Sequence, residues 1–91
     1  MTEPEFLEPY RGNVVVLELG EPYLVIGTLV GWSTQHLSLV EVDLHDRREA
    51  NSTKDVYLIE TKRYGVRANR DRVDIPRRTL VAICHLADIK E

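Results

Sequence analysis

Three histidines, one cysteine, one tryptophan and a cluster of arginines are the residues of this 91-residue chain whose chemistry reaches beyond packing. His36, His45 and His85 form no pair with ligand spacing, and no cysteine or carboxylate clusters with them, so no metal site is expected. Cys84 sits in the apolar run Leu80-Val81-Ala82-Ile83-Cys84-His85-Leu86 with no base beside it, and reads as buried filler rather than a nucleophile. The carboxylates are scattered over strands and loops without the pairing that acid–base catalysis needs. Gly27 and Gly31 lie within a strand and make no phosphate-binding loop. The chain reads as non-enzymatic, with no cofactor and no small-molecule substrate expected. Trp32, beside a polar loop, has two readings: a platform for a stacked base, or a core or interface anchor.

The net charge of −3 hides an asymmetry. Residues 62–78 carry seven bases (Lys62, Arg63, Arg67, Arg70, Arg72, Arg77 and Arg78) against Asp71 and Asp74, whereas residues 1–60 carry eleven acids against four bases. Such a block either attracts phosphate or an acidic partner surface, or is a solvated face balanced by acids elsewhere in the fold.

Ninety-one residues make one domain, residues 1–91, near the lower end of what folds unaided, and a hydrophobic content of 43% is that of a globular chain. No apolar run approaches the ~20 residues of a membrane helix. The acidic N-terminus lacks the basic start and apolar middle of a signal peptide, and a lone cysteine forbids an internal disulfide. A cytoplasmic protein with no membrane contact is the expectation.

The elements that must position these residues begin with Thr2 and Glu5, at capping-box spacing, which predict a short helix over 3–10 limited by Pro9, with Phe6 and Tyr10 laid on a sheet. Strands are predicted over 13–19, 23–32, 36–44, 71–75 and 79–86 from β-branched runs and alternation, with Pro22 and Pro76 as punctuation. Gly27 and Gly31 interrupt the second strand, the mark of a bulge or a bend. Segment 45–66 is an insertion. Ser52 or Asn51 before Asp55, and Gly65 after Lys62-Arg63-Tyr64, favour a helix over 53–64, against the strand-favouring Val56-Tyr57-Leu58-Ile59. Its packing residues would be Val56, Ile59 and Tyr57.

This order resembles the Sm-like (LSm) family, as a divergent bacterial-type member. The apolar strand with Ile26-Gly27-Thr28-Leu29, followed by Leu37-Ser38-Leu39-Val40, is similar to the family's first motif. Val73-Asp74-Ile75-Pro76-Arg77-Arg78-Thr79-Leu80-Val81-Ala82-Ile83 is similar to its second. The resemblance implies a mainly β Sm-like fold: a five-stranded, strongly bent antiparallel sheet forming a small open barrel, with the N-terminal helix and a helical insertion between strands 3 and 4. It further implies a homo-oligomeric ring joined through the fourth and fifth strands (Val73, Ile75, Leu80, Ala82) and binding single-stranded RNA. Ser33, Gln35, His36, Ser38, Arg77 and Arg78 would hold that RNA. The usual family Asp, Asn and Arg-Gly positions are here Ser33–His36, Ser38 and Pro76-Arg77. The alternative is a protein-interaction or scaffolding module without an RNA site.

Overall fold

β1 (Val14–Leu19), β2 (Tyr23–Trp32), β3 (His36–Asp46), α1 (Lys54–Tyr64), β4 (Arg70–Pro76) and β5 (Leu80–His85) follow one another in a computed structural model that describes residues 5–20, 22–49 and 53–91. The five strands form one antiparallel sheet in the order β4-β3-β2-β1-β5. Period-2 alternation in β1 sends Val15 and Leu17 to one face and Val16 to the other. The first face is the main core, with Val25, Leu29, Leu37, Leu39, Val42 and Ile75. Val73 of β4 and Leu80 and Ile83 of β5 pack against this same core, so both ends of the sheet curl onto one interior, the small Sm-like fold expected. The second face carries Val16, Leu24, Ile26 and Leu58 of α1. β1 and the start of β2 are therefore covered on both sides, which is why Val14-Val15-Val16-Leu17 is an unbroken apolar run.

Two bulges produce the bend. Opposite Gly27, β3 spends two residues, Glu41 and Val42, and the register jumps from Ile26↔Asp43 to Thr28↔Val40. Glu41 adopts φ 51°, and the extra residue reverses the parity of β3, so Leu37, Leu39 and Val42 all face inward. Asp43 is thereby turned outward, beneath α1. The second jump lies between Leu29 and Gly31, and lets Trp32 pack against the same core as Leu29.

Among the described residues of the predicted helix over 3–10, only a 3₁₀ turn, Glu8–Tyr10, forms; residues 3 and 4, and Thr2 with the capping box, lie outside the described residues. Leu7, fully buried, plugs the core in place of the predicted Phe6, which is 54% exposed. The side chain reaching inward is set by the tight turn, which helical spacing does not capture. Tyr10 does pack on the core. α1 confirms the helical reading of 53–64, but its cap is Thr53, whose Oγ1 accepts from Val56 N at 3.2 Å. Gly65, at φ 96°, closes it and donates its N–H to Thr61 O. The helix packs through Leu58 and Thr61 with Tyr57 half-buried, and Val56 points away, 44% exposed. Strand-favouring residues lose here because the Thr53 cap and Gly65 bracket the segment and Leu58 packs on the sheet. β5, whose Cys84 was expected to be buried filler, has no buried residue: it is an edge strand, half-covered at best.

Candidate interaction surfaces

The turn after β2 and the 3₁₀ turn Arg77–Thr79 meet at one end of the sheet, where Arg77 N donates to Gln35 O at 2.7 Å. Thr34, Gln35, His36, Pro76, Arg77 and Arg78 line a hollow of about 510 Å³. Four of the six residues assigned to RNA (Gln35, His36, Arg77 and Arg78) thus line this hollow, with Ser33 and Ser38 close by in the chain. Several are already engaged. Ser33 Oγ accepts the backbone N–H of Gln35 and of His36, holding the turn. Ser38 Oγ donates to Asp74 Oδ1 at 2.6 Å. Arg77 donates to Glu5 Oε1 at 3.1 Å and to Ser33 O at 2.9 Å, while its buried Nε has no partner among the described residues. Gln35, His36 and Arg78 remain exposed.

The basic block is engaged in part where it stands. Lys62 donates to Ile89 O, Arg63 pairs with Glu91, Arg72 lies 4.0 Å from Asp74, and Arg77 pairs with Glu5. These facts favour the solvated-face reading. Arg67, Arg70 and Arg78 form no ion pair among the described residues.

Of the residues assigned to a subunit interface, Ile75 is 5% exposed and points into the core, and Val73, Leu80 and Ala82 are half-buried. β4 and β5 are the two sheet edges, each paired on one side only. The outward apolar residue of β5 is Val81, 70% exposed, which sequence spacing did not single out. β5 carries no charged residue except through His85, whereas β4 carries Arg70, Asp71, Arg72 and Asp74 and ends on Pro76.

The remaining chemical residues are built into the fold. Trp32 packs on the core, with the Arg11 guanidinium 4.3 Å from its ring centre. His85 packs at a tilt against Tyr10, ring centres 4.5 Å apart, its Nε2 lying 3.2 Å from Pro9 O. His45 stacks on Tyr57 at 3.8 Å. Burial first, then the charges of Glu18 and Asp88, push the Cys84 thiol up from its ordinary pKa. Tyr57 donates its hydroxyl to Asp43, and burial together with that bond holds its own pKa well above the usual phenol range. Asn69 fixes this corner: Oδ1 accepts from Leu44 N at 3.0 Å and Nδ2 donates to Leu44 O at 3.1 Å, continuing β3's ladder beyond β4. Asp43 and Asn69 carried no expectation from the sequence, and Tyr57 was expected only to pack; an acid inside the apolar run Leu39–Leu44 was the available signal.

Fold and surfaces together define a small Sm-like β-module with two exposed sheet edges. Two solved structures share this fold: a chain of the NatC complex bound to CoA (TM-score 0.59, 22% identity, covering 92% of this chain and 88% of that one), and a chain of the NatC complex bound to Gag peptide and CoA (TM-score 0.56, 24% identity, 85% and 86%). No family model matches the chain, and no curated protein sequence matches it. The assignment to the Sm-like family as a divergent bacterial-type member is therefore corrected: the fold stands, while the similar structures are chains of the NatC complex and no Sm-like family model is matched. The motifs behind that assignment are apolar spacings and one bend glycine, Gly27, which the sheet geometry demands whatever the ancestry. Among the described residues no helix is long and apolar enough to cross a membrane.

Proposed function

We propose that the chain is a non-catalytic subunit of a protein complex, held by a partner strand added to the free edge of β5. The observation that carries this reading is the contrast between the two edges. β4 bears four charges and a terminal proline, the devices that protect an edge from pairing, whereas Leu80–His85 bears none and exposes Val81. An apolar, unprotected edge is a template for strand addition, in which backbone bonds hold the partner and side-chain pockets select it. The likeness to chains of the NatC complex supports membership of a multi-subunit assembly.

The test is native mass spectrometry at rising concentration, on the wild type and on Val81→Lys. The wild type is expected to associate without a fixed stoichiometry, and the lysine variant to stay monomeric with an unchanged melting temperature. A closed ring of fixed mass that survives Val81→Lys would overturn the reading.

A second reading, a homo-oligomeric ring binding single-stranded RNA, draws support from the hollow that gathers Gln35, His36 and Arg78. Against it, Ser33, Ser38 and Arg77 spend their polar groups within the chain, and Asp74 places a negative charge beside Ser38. Salt-dependent binding of short U-rich or A-rich oligomers decides it, since phosphate contacts weaken steeply with salt.

A further inference from the structure

Between the C-terminal half of α1 and β3 lies a cavity of about 310 Å³, lined by Asp43, Tyr57, Glu60, Thr61, Tyr64 and Arg67. The bulge at Glu41 puts Asp43 at its base, where the residue is only 9% exposed. The Asp43 carboxylate accepts from the Tyr57 hydroxyl and from Asn69 Nδ2 at 3.3 Å, both neutral donors. Among the described residues no lysine, arginine or histidine nitrogen lies within salt-bridge distance of it, and residues 1–4, 21 and 50–52 contain none of these side chains. A carboxylate withdrawn from water without a counter-charge is costly, and buried charges are ordinarily paired. Two donors also leave part of its acceptor capacity unfilled.

Apart from Arg67, the surroundings of this carboxylate favour a cation. Tyr57 and Tyr64 stand two helical turns apart on one face of α1, and aromatic rings attract cations to their faces. The cavity sits at the C-terminal end of α1, the negative end of the helix dipole. Glu60 adds a second carboxylate, and Arg67 is the only base in the lining. Among the described residues no three His, Cys, Asp or Glu side chains are grouped to hold a metal, so the donor set fits an organic cation.

We propose that this cavity takes a basic side chain of a partner polypeptide, a lysine ammonium or an arginine guanidinium, with Asp43 as its counter-ion, Glu60 alongside, and the Tyr57 and Tyr64 rings about its aliphatic stem. The proposal deepens the reading of the chain as a complex subunit and rests on it. The site itself is built on β3 and α1, so it is tested apart from the β5 edge.

The experiment titrates the full chain, followed by amide NMR, with capped glycine-flanked tripeptides centred on lysine, arginine or the neutral isostere norleucine. Lysine or arginine peptides are expected to shift resonances of α1 and β3, the stronger of the two naming the source, with no response to norleucine. Asp43→Asn, which keeps an acceptor for Tyr57, is expected to weaken binding by about tenfold or more, and the exposed Tyr64→Ala by about threefold. If Asp43→Asn fails to fold, the double variant Glu60→Gln with Tyr64→Ala takes its place and must lose binding. Equal response to norleucine, no shifts at about 10 mM peptide, or undiminished affinity in these variants overturns the site. Peptide binding by a wild-type chain that stays monomeric at every concentration would sink the strand-addition reading alone, whereas binding that persists in Val81→Lys is expected of a site apart from β5.

Discussion

Gly27 and Val42 meet across the β2–β3 pair where no side chain fits between them: a Cβ on Gly27 would lie 3.0 Å from Val42 Cγ2 and 3.2 Å from the Val40 carbonyl oxygen. Val42 is fully buried and β3 is already locked by its bulge, so neither strand can retreat cheaply. Gly31, by contrast, would set a Cβ in open space. Gly27→Ala is expected to cost about 1–3 kcal/mol, and Gly31→Ala to stay within about 0.5 kcal/mol. Thermal melts of the two variants, followed by circular dichroism, check the contrast.

Leu58 and Val56 separate the buried and exposed sides of α1. Leu58→Ala opens a void against Val16, Leu24 and Ile26, at an expected cost of about 2–3 kcal/mol. Val56→Ala removes a side chain that is 44% exposed and should change stability by no more than about 0.5 kcal/mol. Urea unfolding with unchanged m-values reads both.

Arg77 and Arg78 are neighbours with different duties. Arg77→Ala strips Glu5 and the Ser33 carbonyl of their donor and should lower stability by about 1–2 kcal/mol. Arg78→Ala should leave the melting temperature unchanged, because its side chain is exposed and makes no hydrogen bond among the described residues. Equal effects from the two would show that the Glu5 contact carries no weight.

Alkaline pH should destabilise the fold through Tyr57 and Cys84. Both groups hold their protons more tightly in the folded chain than in the unfolded one, where they titrate near 10.0 and 9.0. Their contribution is complete below those values and is lost as pH rises from them toward the higher folded pKa values. Melting temperatures between pH 7 and 11 should fall for the wild type and fall less steeply for Tyr57→Phe. A parallel decline in both would remove Tyr57 from the account.

The strands were legible because their signals are local. Tyr23–Trp32 is bounded by Pro22 and a Ser-Thr-Gln turn, and the helix start and stop at Thr53 and Gly65 lie close to the predicted ones. What escaped was parity. A single extra residue at Glu41 decides that Val42 faces the core and Asp43 the helix, and nothing in an alternation pattern announces it. Leu7 displaced Phe6 for a similar reason, since a 3₁₀ turn rotates side chains differently from the helix expected there. At the loop–turn hollow the sequence placed Ser33, His36 and Arg77 together, yet could not reveal that Glu5 and Asp74 had already claimed Arg77 and Ser38.

β1 lies inside the sheet only because β5 covers it, with Val15 opposite His85 and Leu17 opposite Ile83. These partners stand far apart along the chain, so the loop joining them closes late and at high entropic cost. During synthesis the Val14–Leu19 strand is consequently an open, apolar template until the last strand has left the ribosome. A chain cut before Leu80 would keep that template permanently, making loss of β5 an aggregation hazard.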